Sequence, residues 1–159
     1  MGKMKIKCVI DQYNKPGNCT AKLGHGTMYI LNSNNQVTHK IPFQTGGWGN
    51  GPAEPGEYAI DYYDTPDQIA KLPNKEAYSL TYDDYTYGFY FHLQPKFVTE
   101  RSGLGIHIDG SVPGTLGCIG LQIDDIDIAK EIYKLLAGAM AMYGSVDVYV
   151  EQIINARMV

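Results

Sequence analysis

Charge is scarce in this chain. Only 19% of its 159 residues are Asp, Glu, Lys or Arg, and they leave a net charge of −4 with a pI near 5.5. No long basic run is present, which removes the electrostatic footprint of a nucleic-acid binder. A mildly acidic chain is not drawn to anionic membranes either. Long apolar runs are also missing. No stretch reaches the roughly 18 apolar residues that a membrane span requires. The opening segment MGKMKIKCVIDQYN alternates apolar residues with lysines instead of forming the continuous core of a secretory signal. A soluble chain without an export signal is the expectation, whether delivered as it stands or trimmed of its signal. Cysteine is limited to Cys8, Cys19 and Cys118, and no CxxC or CxxxH spacing suggests zinc. An odd cysteine count leaves at least one thiol free in any pairing scheme. Cys8 and Cys19 either face each other across a hairpin or stay unpaired in or near strands.

Tyrosine is abundant, at 13 residues against 4 Phe and 1 Trp. Tyrosine favours strands and half-wet surfaces. With 44% hydrophobic residues the composition is globular. Alternation in KIKCVI reads as a strand, and NKPGN (14–18) as a turn. TMYILNSNNQVTHKIPFQTGG reads as a hairpin with NSNNQ as its loop. EYAIDYY, AYSLTY, TYGFYFHLQP, GLGIHI and SVDVYVEQI are further strand-like runs, while residues 64–77 look irregular. A helical pattern falls only in DDIDIAKEIYKLLAGAMAMYG, with apolar residues at Ile128, Ile132, Leu135, Leu136, Ala139 and Met142. Asp124 or Asp125 supplies the N-cap and Gly144 the stop. The expected fold is mainly β with one major helix at about 125–143, a sandwich-like or barrel-like sheet in a single domain over 1–159.

The segment GIHIDGSVPGTLGCIG (105–120) sets a cysteine in a bend-prone context shortly after a histidine. A cysteine nucleophile needs exposure, a base and an oxyanion site. Gly117 permits a sharp turn just before Cys118, lifting the sulfur out of a strand and leaving amides free as oxyanion donors. His107 is the candidate base. DGSVPG, with its Asp-Gly and Pro-Gly turn formers, is expected to reverse the chain and return Cys118 toward the strand end that carries His107. An imidazolium there would lower the thiol pKa. Asp109 or a backbone carbonyl near Ile108 or Asp109 would orient the imidazole.

At these residues the chain resembles the L,D-transpeptidase catalytic domain, also called YkuD-like. That family carries a His-Gly or His-Ser strand end, a loop, and Ser-x-Gly-Cys followed by an aliphatic residue, Arg and another apolar residue. The matching pieces are His107 and TLGCIGL (115–121): Thr115 stands at the family's Ser, Gly117 and Cys118 match, and Ile119 and Leu121 fit the apolar positions. TGGWGNGPAEPGEYAI is similar to the family's Thr-Gly and Pro-x-Pro-Gly-x-Phe/Tyr segment, and the early hairpin, the helix and the last strand follow its order. The likeness covers roughly residues 4–152 and is thinnest over 61–97. Gly120 replaces the usual Arg, and Leu116 the frequent His before Gly-Cys. Arg101 reads as a solvated loop arginine, with a substitute role for the missing one as the alternative. The His-to-Cys loop is shorter than in many members, a trait of divergent branches that include antibacterial effectors.

The resemblance implies catalytic Cys118, His107 and Asp109, with Gly117, Thr115, Leu116 and Ile119 forming the substrate and oxyanion segment. The thiolate would attack the L,D-peptide bond of a peptidoglycan tetrapeptide stem, and an amine or water would resolve the thioester, with no metal or organic cofactor needed. The partners implied are stem peptides, with an immunity or delivery protein if the chain is an effector acting in the periplasm or cell wall. The alternative is an inactive peptidoglycan-binding module on the same scaffold.

Other candidates carry less. His25 in LGHGTMYI mimics the family's His-Gly-Thr but precedes an early strand and reads as a decoy. His92 reads as a packed strand histidine, with a cleft position as the alternative, and His39 as a solvated one. Trp48 and Tyr58 either wall the cleft or plug a core edge. The acids of DDIDIAKE suit a helix start.

Overall fold

The computed structural model describes residues 3–110 and 114–158, with side chains to Ile153. Among the described residues, ten strands and one long helix form a mainly β fold. The strands are β1 (Lys5–Asn14), β2 (Leu23–Leu31), β3 (Val37–Gly46), β4 (Gly56–Asp64), β5 (Ser79–Tyr82), β6 (Tyr85–Gly88), β7 (Tyr90–Pro95), β8 (Leu104–Ile108), β9 (Ile119–Leu121) and β10 (Val146–Met158). Eight of them close a barrel in the order β1-β10-β4-β7-β8-β9-β3-β2, while β5 and β6 form a separate hairpin. Closure removes unpaired edges, which would otherwise be templates for association.

Period-two alternation decides which side chains enter the barrel. Ile6, Cys8 and Ile10 of β1, Met28 and Ile30 of β2, and Val146, Val148 and Val150 of β10 are all buried in one apolar cluster. The expected NSNNQ loop closes the β2–β3 hairpin, with Asn32 accepting from the amides of Asn34 and Gln36. The sheet is antiparallel except for two parallel pairs, β1 with β10 and β8 with β9. Nothing in the strand patterns signalled those two pairings.

The run TYGFYFHLQP divides at Phe89, a fully buried residue between β6 and β7. The irregular 64–77 stretch holds a short helix, α1 (Pro66–Ala70), capped by Thr65, and a 3-10 turn at Lys75–Tyr78. The main helix α2 (Ile126–Tyr143) begins at Asp125, whose side chain accepts from the amides of Asp127 and Ile128, and ends at Gly144 in the left-handed region. Its buried face is Ala129, Ile132, Leu136, Ala139 and Met140, packed toward β4, β6 and β10. Ile128 and Met142, expected on that face, are exposed instead. A straight helix has 3.6 residues per turn, so a stripe that opens on Ala129 leaves Ile128 beside it, on the solvent flank. Among the described residues no helix is long and apolar enough to cross a membrane.

Candidate active site

Strand register assembles the site. β8 lies between β7 and β9, with Tyr90 opposite His107 and His92 opposite Gly105 on one side, and His107 level with Gly120 on the other. Ile106 is level with Ile119, so Cys118 falls one step earlier, beside Gly105. Alternate residues share a face. Tyr90, His92, Gly105, His107, Asp109, Cys118 and Gly120 therefore occupy one face of these three strands. Phe91, Ile106 and Ile119 occupy the other, all fully buried in the apolar core.

The expected return of Cys118 toward His107 takes a particular form. β9 runs parallel to β8, so Cys118 lies beside Gly105 near the start of β8, one alternate position from His107. Residues 111–113 of DGSVPG lie outside the described residues. His107 and Cys118 nonetheless line one cleft of about 390 Å³, together with Trp48, Ala77, Tyr78, Tyr90, Gly103, Gly114, Thr115 and Leu116. Cys8 and Cys19 are free thiols elsewhere.

The turn that presents Cys118 is held by Thr115. Its buried hydroxyl donates to the Cys118 carbonyl at 2.7 Å and accepts from the amides of Gly117 and Gly46, each at 3.1 Å. The Thr115 amide itself donates to the Gly46 carbonyl at 2.7 Å. Thr45 adds a second tie, donating to the Gly117 carbonyl at 3.5 Å and accepting from the Ala53 amide at 2.9 Å. Gly117 has φ +130°, a conformation that favours glycine. Two of the expected oxyanion amides, those of Thr115 and Gly117, are thus already committed within the turn. Ile119 is a core residue of β9, and Leu116 is exposed on the cleft wall.

His107 is buried, and its Nδ1–H donates to the carbonyl of Ile108 at 2.7 Å. Because a carbonyl only accepts, that bond puts the proton on Nδ1 and leaves the lone pair on Nε2. Of the two orienting groups considered, it is therefore the carbonyl that does the work. Asp109 accepts from the Gly114 amide at 3.1 Å and from the Gln122 side chain at 2.8 Å, tying the start of the His-to-Cys loop to its later part and to the residue after β9. Its assignment as an imidazole partner is corrected accordingly: one face, but a different contact.

Electrostatics set the resting state. Burial lowers the His107 pKa to about 4, the Ile108 carbonyl opposing weakly. Burial also raises the Cys118 thiol, against the lowering effects of the Tyr90 hydroxyl, the Gly105 amide and the Arg101 charge. The expected lowered thiol pKa is thus reversed in direction. At rest the two groups are a thiol and a neutral imidazole, so no imidazolium stands beside the thiol. Burial likewise raises Asp109 to about 6, with Gln122 and the Gly114 amide pulling it down.

Arg101 is not a solvated loop residue. Its guanidinium is largely buried behind the turn, donating to the carbonyls of Pro52 at 2.6 Å and Gly51 at 2.8 Å, with Glu54 at 4.0 Å. Gly120 stands where the resembled family has arginine, and there is no room for a side chain. A Cβ there would meet Asp109 Cβ at 2.9 Å and Thr115 Cγ2 at 3.0 Å. Tyr58 is a core residue, its hydroxyl donating to the Glu54 carbonyl, whereas Trp48 does wall the cleft.

The other histidines are engaged away from Cys118. His25 pairs with Asn14 at 2.7 Å and His39 with Glu131 at 3.0 Å. His92 pairs with Asp64 at 2.8 Å and stacks on Tyr62, in a groove that adjoins the cleft through Tyr78 and Tyr90. Among the described residues no group of three His, Cys, Asp or Glu side chains could hold a metal ion. Tyr90 is the site residue that sequence reasoning passed over. The alternation Tyr90, His92 within YFHLQ was the available signal, since it puts both on one face.

No family model matches the chain, and searches of the curated proteins and of the solved structures return no match.

Proposed function

We propose that this chain is a cysteine-dependent peptidoglycan-modifying enzyme, an L,D-transpeptidase or L,D-carboxypeptidase acting on tetrapeptide stems. The observation that carries the reading is the sharing of one cleft by Cys118, set on a glycine turn, and a buried His107 with its Nδ1 fixed by a carbonyl. The motif likeness around TLGCIGL supplies the substrate class. In this reading His107 Nε2 takes the thiol proton as Cys118 Sγ attacks the carbonyl of the L,D-bond. The amides of Leu116 and Cys118 are the oxyanion donors, since those of Thr115 and Gly117 are engaged. Collapse of the tetrahedral adduct breaks the C–N bond, and His107 returns the proton to the departing D-Ala amine. The thioester then passes its acyl group to an amine of a second stem or to water. A delivered antibacterial effector, met by an immunity or delivery protein and working in the periplasm, is the biological setting we attach to it.

One observation favours a second reading, an inactive binding module. The described cleft lining carries no charged side chain, its thiol and imidazole being neutral at rest, and Arg101 is held by backbone carbonyls rather than presented to a ligand. Mass spectrometry of purified tetrapeptide muropeptides separates the two. The native protein is expected to release D-Ala or form a cross-link, and Cys118→Ala to do neither while keeping its thermal midpoint. Muropeptides returned unchanged, but retained by the native protein, would establish the module.

A further inference from the structure

The hydroxyl of Tyr90 stands between two groups that compete for it. It is 2.8 Å from the carbonyl oxygen of Gly103 and 3.2 Å from Cys118 Sγ. A phenol has one proton, and a carbonyl oxygen can only accept. The shorter contact therefore takes the phenol proton. The sulfur contact is then satisfied the other way, by S–H donating to Tyr90 Oη. The direct alternative for the thiol proton, the Gly103 carbonyl, is 3.9 Å away.

The ring is held in place by its neighbours. It stacks parallel to the His107 imidazole with centroids 5.5 Å apart and an interplanar angle of 9°. Tyr78 meets both rings edge-on, at 5.6 Å from Tyr90 and 5.0 Å from His107. The ring also lies against Gly105, where even a Cβ would come within 2.2 Å of Tyr90 Cε1. The hydroxyl hydrogen can still rotate about the C–O bond while the ring stays fixed.

We propose that Tyr90 is a further catalytic residue that governs the protonation of Cys118. At rest its oxygen accepts from the thiol while its own proton is given to Gly103. When the thiol proton passes to His107 Nε2, the phenol proton rotates from the Gly103 carbonyl to the sulfur. The thiolate then has two donors, Tyr90 O–H and Gly105 N–H, where the thiol had an acceptor. No bond other than S–H is broken and the phenol stays protonated throughout. The chemical logic is that a thiolate in a cleft whose lining holds no Lys or Arg, with Arg101 tied up behind the turn, gains from a donor that appears with the charge. The inference rests on Cys118 as the reacting thiol and not on the identity of the substrate.

The test is the pH profile of Cys118 alkylation by iodoacetamide, read on the Cys118 peptide by mass spectrometry. Tyr90→Phe keeps the ring and removes the hydroxyl. Its profile is expected to move up by about one pH unit, a tenfold loss of thiolate at a fixed pH below the midpoint. Tyr13→Phe, which removes a hydroxyl bonded to Gln152 instead, should leave the profile in place. Superimposed native and Tyr90→Phe profiles would overturn the proposal. A second measurement uses the native protein, so it stands even if Tyr90→Phe does not fold. The infrared S–H stretch assigned to Cys118 by its loss in Cys118→Ser should lie below that of a thiol with no acceptor. A band at the acceptor-free position overturns the resting arrangement. The muropeptide digest is read independently. A Tyr90→Phe shift with no product from native protein supports this inference and sinks the peptidoglycan-enzyme reading, and product without a shift does the reverse.

Discussion

Thr115→Val is the sharpest structural test of the turn that presents Cys118. Valine matches threonine in shape but cannot make any of the three hydroxyl bonds that tie Thr115 to Cys118, Gly117 and Gly46. A typical intramolecular hydrogen bond is worth about 1 kcal/mol net, so three give a loss of about 3 kcal/mol. Full desolvation penalties for two buried amides and a carbonyl would push the cost higher. Water entering from the cleft side would bring it back down. For a chain of this length, 1 kcal/mol moves the thermal midpoint by about 2–4 °C, so the expected fall is about 6–12 °C. Thr115→Ser keeps the hydroxyl and loses the methyl that packs on Gly120, at a cost near 1 kcal/mol. Urea unfolding of native, Ser and Val forms measures all three. A Val form within about 0.5 kcal/mol of native, or a Ser form as damaged as the Val form, would refute the hydroxyl as the clamp.

Other outcomes follow from the same geometry. His107 binds a proton at about 4 folded and 6.5 unfolded, so between those values the unfolded chain holds more protons and stability falls as the pH drops, by about 3 kcal/mol over the window. Asp109 works the other way, holding a proton up to about 6 folded against 3.8 unfolded, so it loses stability as the pH rises through that window. Their slopes offset in the native protein near pH 4–6. Denaturation of His107→Phe and Asp109→Asn at stepped pH should expose opposite slopes, and parallel curves for all three proteins would disprove the opposition. Gly120→Arg, which restores the arginine of the resembled motif, is expected to destabilise and not to activate, because Asp109 and Thr115 already fill the space. A Gly120→Arg protein with an unchanged thermal midpoint would show that the packing there is loose.

The sequence alone determined the local things. Alternating apolar residues marked the strands, Asp125 and Gly144 bounded α2, and the Gly117–Cys118 step marked a turn, because each rests on backbone preferences within a few residues. It also brought His107 and Cys118 forward as a pair, since both belong to one short segment. Only the tertiary structure decided how β8 and β9 pair. Parallel and antiparallel returns leave the same alternation in the sequence, yet they place Cys118 against different parts of β8. From that pairing follow the neighbours that sequence distance hides. Tyr90 comes to the sulfur because β7 lies beside β8, and Arg101 turns inward because the carbonyls of Gly51 and Pro52 meet it there. Asp109 shares the face of His107, as spacing predicts, but Gln122 and Gly114 reach it first. The direction of the Cys118 and His107 shifts was decided the same way. Burial is a property of the closed barrel and its cleft, and it outweighs the mutual stabilisation that a histidine beside a cysteine suggests in sequence.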